Sequence, residues 1–280
     1  MKRILLIGLA CCPLLLMAQG GWTRAPKSYF IKFDVSHLNS DRYINPNGEE
    51  LKTSAFRQTS FSLYGEYGFR KRLTFIVQAP LLRLNSFETT EIAAGVGDLR
   101  LEAKYRLTSN RFPVSVSIAP ELPTGRANAY AANKTFPDDR INLPTGDGEF
   151  NVWATLAASK SFGKFYASAF TAYDFRTKYK GKKFRDLYQF GAEIGYNPWK
   201  PLWINAKLRA QYSDGEGLYP ELGFVRGDAT TYTLASAEAF YKFNKNWGVS
   251  ATYLTGGDWI APFRNIYLAP YFSVGVVYGR

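Results

Sequence analysis

Hydrophobic and polar residues alternate one by one along two segments of this chain. From Leu99 to Leu107 every odd position is apolar and every even position is charged. From Ile204 to Tyr212 the sequence Ile-Asn-Ala-Lys-Leu-Arg-Ala-Gln-Tyr repeats the alternation without a fault. On a helix these polar residues would be spread around the axis, whereas on a strand they share one face. Both segments therefore predict β-strands with one apolar and one polar face.

The same alternation predicts twelve strands in the whole chain. They span residues 28–40, 56–69, 73–86, 98–109, 113–125, 150–162, 165–178, 185–197, 202–214, 230–243, 247–258 and 266–279. The connections between them are alternately short and long, and the longest covers residues 126–149. Outer-membrane barrels join their strands by short periplasmic turns and longer external loops. The pattern therefore predicts an all-β, antiparallel transmembrane β-barrel of twelve strands, with both termini in the periplasm.

Aromatic residues favour a membrane barrel over a soluble β-sandwich or a lipocalin-like barrel, which alternation alone would also fit. They make up 16% of the chain. Several flank the predicted short turns, as expected of the aromatic girdle at a membrane interface. These residues are Tyr67, Phe69, Phe162, Phe165, Tyr196, Trp199, Phe243 and Trp247. The final strand also carries aromatic residues, as expected of a substrate of the barrel assembly machinery.

The N-terminus has the features of a secretory signal peptide. Lys2 and Arg3 precede an apolar run, and small residues follow it. We predict a cleaved signal peptide over residues 1–18 and a single barrel domain over residues 19–280, located in the cell outer membrane. A membrane anchor would need about 20 apolar residues, which is longer than this run. A lipoprotein anchored at Cys11 or Cys12 fits poorly, because the apolar run continues past both.

Cleavage would leave a basic chain without cysteine. The full sequence has two cysteines, Cys11 and Cys12, and both lie in the predicted signal peptide. Disulfides and thiolate metal sites are therefore not expected after cleavage. The remaining 33 basic residues outnumber 23 acidic ones. Because an exported chain rarely meets nucleic acid, we expect a basic pore or surface that faces anions instead. The predicted partners are outer-membrane lipids, a small-molecule solute and the barrel assembly machinery, with no nucleic acid.

Glycine-rich turn motifs carry a resemblance to a known family. Residues 95–107 begin with Gly-Val-Gly-Asp and continue into a strand that contains a Lys-Tyr pair. A Leu-Pro-Thr-Gly sequence occurs at residues 122–125 and again at residues 143–146. The chain resembles the outer-membrane family named for the meta-pathway of phenol degradation. This resemblance implies a transporter barrel for hydrophobic or aromatic compounds.

No residues suggest an enzyme, a cofactor site or a metal site. His37 is the only histidine, and alternation places it on the outer face near the long-loop rim. No Gly-x-Ser-x-Gly motif is present, and the Gly95-Val96-Gly97 sequence precedes a strand, unlike a nucleotide-binding loop. The candidate functional residues instead face the predicted lumen. They are Arg100, Glu102, Lys104, Arg106, Lys207, Arg209, Glu193, Glu238, Trp153 and Phe170.

The function predicted from these features is an outer-membrane channel or transporter for small solutes, including hydrophobic or aromatic ones. Two alternatives remain open. One is a non-transporting barrel that acts as a structural or assembly partner, and the other is an outer-membrane enzyme that modifies lipids. The sequence does not identify the solute, the oligomeric state or the conformation of the 126–149 loop.

Overall fold

A computed structural model describes residues 20–108, 111–217 and 227–280, and the predicted signal peptide lies outside them. The strands are β1 (Tyr29–Ile44), β2 (Glu50–Arg70), β3 (Leu73–Phe87), β4 (Ala93–Gly95), β5 (Leu99–Arg106), β6 (Val114–Leu122), β7 (Tyr130–Ala132), β8 (Arg140–Asn142), β9 (Asn151–Phe162), β10 (Phe165–Arg176), β11 (Lys178–Tyr179), β12 (Lys182–Lys183), β13 (Leu187–Trp199), β14 (Leu202–Ser213), β15 (Tyr232–Lys242), β16 (Trp247–Gly256), β17 (Ile266–Tyr267) and β18 (Tyr271–Gly279). No helix in these ranges has the length and apolar character needed to cross a membrane.

The twelve long strands form a closed antiparallel barrel. Each pairs with its neighbours along the chain, and β1 completes the ring by pairing with both β2 and β18. The closing register runs from Phe30 opposite Gly279 to Leu38 opposite Tyr271. Closure pairs each of the twelve barrel strands on both sides, which is the condition for a sheet to lie in lipid. The predicted fold class and strand number are confirmed.

In the middle of the barrel, polar residues face the inside and apolar residues face outward. On β5 the side chains of Arg100 and Lys104 are 8% and 6% exposed, whereas Leu101 and Tyr105 are 41% and 45% exposed. A soluble barrel would show the opposite arrangement, because it buries its apolar face. An apolar outer surface with a polar lumen is the arrangement of a membrane barrel. The eight aromatic residues that flank the predicted short turns are likewise all exposed.

The first and last strands differ from their predicted bounds. Residues 41–55 were expected to form a long loop, but β1 and β2 continue through most of them and leave only a turn at residues 45–49. Arg42 and Glu50 pair across this extension of the hairpin. The predicted strand 266–279 is divided into β17 and β18. Pro270 lies in the gap, where it has no N–H group to donate to a neighbouring strand.

Candidate solute pathway in the barrel lumen

An apolar cluster fills the lumen at the end of the barrel that carries the long loops. Alternating inward residues of six barrel strands supply most of it, because the strands continue their period of two above the polar middle. Its large members are Leu38, Tyr43, Ile44, Phe56, Phe87, Tyr232, Leu234, Leu254, Phe263, Ile266, Tyr267 and Tyr271. The Phe56 and Tyr267 rings lie 5.1 Å apart. A solute that enters from this end would first meet aromatic surface.

The loop of residues 126–149 folds into the same end of the barrel. Its β7–β8 hairpin and the residues beside it place Ala129, Ala131 and Leu143 in the apolar cluster. Two β3 side chains fix the returning segment: Arg83 Nη1 donates to the Thr145 carbonyl at 2.7 Å, and Asn85 Nδ2 donates to the Pro144 carbonyl at 2.8 Å. The loop thus lies across the opening, attached to the barrel wall.

Asp98 brings the three glycine-rich motifs together just before β5. Its Oδ1 accepts a hydrogen bond from the Gly125 amide, and its Oδ2 accepts one from the Asp147 amide, both at 2.9 Å. A Cβ at Gly146 would clash with the Asp98 carboxylate, so this close approach requires glycine. Burial and the nearby Asp147 carboxylate raise the pKa of Asp98 to about 7. The sequence shows these motifs only as separate turns, so their convergence could not be predicted from it.

Buried ion pairs occupy the lumen below the loop. Arg100 Nε donates to Glu121 Oε2 at 2.8 Å, and the Arg100 guanidinium lies 4.5 Å from the centre of the Trp153 ring. Arg176 Nη2 donates to Glu149 Oε1 at 2.9 Å. These pairs satisfy charges that would be costly to bury alone. The first pair links β5 to β6, and the second links β10 to the end of the long loop.

A cavity of about 330 Å³ lies in the half of the lumen nearer the short turns. Its aromatic walls are Phe30, Tyr64, Tyr166, Trp203, Phe240 and Tyr271. Lys207 lies between two carboxylates in this wall, with Nζ 3.3 Å from Glu193 Oε2 and 3.4 Å from Glu238 Oε2. Lys32 Nζ lies 3.8 Å from the other oxygen of Glu238. The cavity therefore combines aromatic surface with a network of paired charges.

The segment of residues 20–27 crosses the short-turn end of the lumen. The Gly21 amide donates to Ser159 Oγ at 2.7 Å, and the Arg24 amide donates to Thr74 Oγ1 at 2.8 Å. Trp22 packs edge to face against Tyr166, with ring centres 5.5 Å apart. The segment thus reaches from β3 to β9 and β10 and borders the cavity. The position of this segment could not be predicted from the sequence, because its polar and apolar residues do not alternate as they do on a strand.

The residues predicted to line the lumen lie at several depths. Lys207, Glu193 and Glu238 meet in the cavity, and Arg100 meets Trp153 above it. The remaining predicted residues are Glu102, Lys104, Arg106, Arg209 and Phe170. Glu102 is buried, Lys104 Nζ donates to the Gly20 carbonyl at 3.3 Å, and Arg106 Nη2 donates to the Lys71 carbonyl at 3.0 Å. Arg209 lies over Phe170, 5.6 Å from its ring centre. Their part in solute passage stays a prediction.

A family model covers most of the barrel. The family described as "Putative MetA-pathway of phenol degradation" matches residues 52–258. The chain belongs to this family. The resemblance seen in the turn motifs is thereby confirmed. No curated protein matches the chain.

Solved outer-membrane structures share the fold. An outer membrane channel from Pseudomonas putida F1 is 17% identical, covers 92% of this chain and 96% of its own, and superposes with a TM-score of 0.61. The NanC porin is 10% identical over 88% of this chain and 98% of its own, with a TM-score of 0.55. The translocator domain of the autotransporter NalP from Neisseria meningitidis is 12% identical over 91% of this chain and 89% of its own, with a TM-score of 0.52. At such identities the likeness concerns the fold.

Proposed function

We propose that this protein is an outer-membrane channel for small, partly apolar solutes. The cavity of about 330 Å³ inside the closed barrel carries this proposal. Ligand sites in proteins are concave, mostly apolar, and equipped with a few placed polar groups. Trp203 and Phe240 supply apolar surface here, and Tyr166 and Asn205 supply polar groups. Membership of the phenol-degradation family supports an aromatic solute.

The proposal includes an orientation in the membrane. Residues 1–18 direct export and are removed, and residues 19–280 form the barrel. Both ends of the barrel chain then lie in the periplasm with the short turns, and the long loops face the outside, as is usual for such barrels. Under this orientation the apolar cluster is the outer entrance and the cavity is the periplasmic half of the path.

The paired charges of the cavity favour a solute without strong net charge. Lys207 is held by Glu193 and Glu238, and Arg24 Nε lies 2.6 Å from Glu66 Oε2. A charged solute would have to displace one of these partners and leave another charge uncompensated. Breaking a buried ion pair in this way costs about 3–5 kcal/mol. A neutral ring with a hydroxyl group can stack on the aromatic walls and bond to the polar groups.

A non-transporting barrel remains the second candidate, because both ends of the lumen are occupied. The 126–149 loop and the apolar cluster fill the outer end, and residues 20–27 cross the inner end. Transport requires at least one of these segments to move. A structural barrel requires neither to move, so measured passage of a solute separates the two functions.

Uptake of a matched pair of glycosides into liposomes tests the channel. Phenyl glucoside and methyl glucoside differ in their aromatic group, and bilayers retain both. Liposomes with the protein should take up phenyl glucoside faster than methyl glucoside. The Trp203→Ala and Phe240→Ala variants should lower this ratio about two- to tenfold, since a ring contact contributes about 0.5–1.5 kcal/mol. Phe272→Ala, on the outer face, should leave it unchanged. Absence of any protein-dependent uptake would contradict the channel.

A further inference from the structure

A compact hairpin between β10 and β13 carries a cluster of positive charge. Residues 178–185 read Lys-Tyr-Lys-Gly-Lys-Lys-Phe-Arg and contain five basic side chains. β11 and β12 pair across a turn in which Lys180 and Gly181 have φ angles of 48° and 81°. The side chains of Lys178, Lys180 and Lys183 are exposed. The hairpin therefore presents several ammonium groups to its surroundings from one small element.

The base of this basic hairpin is fixed to the barrel. Phe184 is 1% exposed, and the Arg176 guanidinium lies 5.3 Å from the centre of its ring. The Tyr179 hydroxyl accepts a hydrogen bond from Asn128 Nδ2 at 3.0 Å. These contacts hold the backbone, so binding of a partner to the ammonium groups does not also have to order the hairpin itself.

Nearby acidic groups leave the positive excess of the hairpin in place. Asp186 Oδ2 lies 3.5 Å from Lys183 Nζ, and it also accepts the hydroxyl hydrogen of Tyr173 at 3.0 Å. Arg185 Nε donates to the Glu216 carbonyl at 3.0 Å, and the Asp228 carboxylate accepts a hydrogen bond from the Arg185 amide at 2.9 Å. Within residues 178–186 five basic residues face one acidic residue. A partner of opposite charge is therefore favoured.

Three aromatic rings on the outer face of the barrel lie next to the hairpin, with Phe175 and Tyr188 exposed and Tyr173 half-buried between them. The Tyr173 ring is 4.4 Å from the Phe175 ring and 4.5 Å from the Tyr188 ring. Aromatic residues collect at the level of lipid head groups, where an apolar ring with a polar edge is stable. Under the proposed orientation, the cluster of three rings would lie at the edge of the bilayer, and the lysines beside it would reach the level of the charged lipid head groups.

We propose that the basic hairpin binds the phosphate groups of lipids in the outer leaflet. Each ammonium group donates charge-assisted hydrogen bonds to phosphate oxygens, and several on one hairpin can hold a lipid that carries two phosphates. The rings of Tyr173 and Tyr188 pack beside its acyl chains. This inference rests on the proposed orientation of the barrel and does not depend on passage of a solute.

Binding of diphosphorylated lipid A to the purified barrel in detergent tests the inference. The measurement is the temperature at which the protein loses its folded gel mobility, as a function of lipid A concentration. Lipid A should raise this temperature. The variant K178Q/K180Q/K183Q should need at least about tenfold more lipid A for the same shift. The variant R70Q/K71Q/R72Q, which loses three charges at the opposite rim, should respond as the wild type does.

Two results would overturn the inference. Equal responses of both triple variants would place the lipid contact elsewhere. An equal shift with inorganic phosphate would show that a simple anion suffices and that no lipid is recognised. Gel mobility without lipid checks that each variant is folded. If the triple variant does not fold, Lys180→Gln at the exposed turn carries the test and should weaken the response about fivefold.

Discussion

Arg100 illustrates how single residues determine what the barrel can hold inside. Its guanidinium is satisfied on one side by Glu121 and on the other by the face of Trp153. Arg42 and Glu50 form a similar ion pair in the first hairpin, where their side chains are 52% and 46% exposed. Both are arginine–glutamate pairs, but the Arg100 pair is buried and the Arg42 pair is exposed. Comparing them therefore shows how much burial changes the effect of an ion pair on stability.

Replacing Arg100 by glutamine should therefore destabilise the barrel strongly. The change leaves Glu121 as a buried carboxylate without its partner, and breaking such a pair costs about 3–5 kcal/mol. Arg42→Gln should have little effect, because water solvates both exposed partners. Equilibrium unfolding in guanidinium chloride measures both. Equal midpoints for the two variants would show that the Arg100 pair is solvated and that this part of the lumen is wet.

Protonation of Asp98 should control how firmly the 126–149 loop is docked. The pKa of Asp98 is raised to about 7 in the folded protein, so its contribution to stability is complete below the unfolded value, near 3.8, and is lost as pH rises through about 7. Ionisation adds a charge beside Asp147 and Glu121. Amide hydrogen exchange of Gly125 and Asp147, corrected for its intrinsic pH dependence, should be slower at pH 5 than at pH 8.5.

A matched pair of variants isolates this effect. Asp98→Asn should weaken the pH dependence and leave the part that is due to Asp147, whose pKa is also raised by burial, whereas Asp138→Asn, exposed in the same loop, should keep it in full. Equal protection at both pH values in the wild type would show that Asp98 does not titrate between them.

At the scale of the strands, most of the architecture follows from alternation. Leu101 and Lys104 were assigned to opposite faces because lipid and water lie on opposite sides of a barrel strand, and the structure places them so. The position of residues 20–27 in the lumen could not be predicted, since it depends on the contact of Gly21 with Ser159, which is 138 positions away. The convergence of Gly125, Gly146 and Asp98 was hidden for the same reason. Turn motifs describe local geometry and carry no information on which loops meet.

Substitutions on the two faces of β5 should affect assembly of the barrel in the membrane differently. Leu101→Arg places a charge on the lipid side, which costs roughly 2–4 kcal/mol near the middle of the bilayer. Lys104→Gln on the lumen side keeps a polar group and should assemble normally. Folding into liposomes, followed by the shift in gel mobility, measures both. Normal assembly of Leu101→Arg together with failure of Lys104→Gln would show that the facing is inverted.

The whole molecule is a closed barrel whose ends are covered by different parts of the chain. The cover at the long-loop end is the loop of residues 126–149, fixed by Asp98, Arg83 and Asn85. The cover at the short-turn end is the segment of residues 20–27, fixed mainly by hydrogen bonds to neighbouring strands. The cavity lies between them. Movement of either cover changes access to it, and the segment of residues 20–27 is small enough to remove without touching a strand.

Single-channel recording in planar bilayers tests the channel most directly. The folded wild-type protein should give small, discrete current steps, because its covers leave a narrow path. A variant without residues 20–26, shown to be folded by its gel mobility, should give larger steps, since it lacks the segment that crosses the short-turn end of the lumen. Folded protein that gives no current steps, with or without these residues, would contradict the channel and favour a structural barrel.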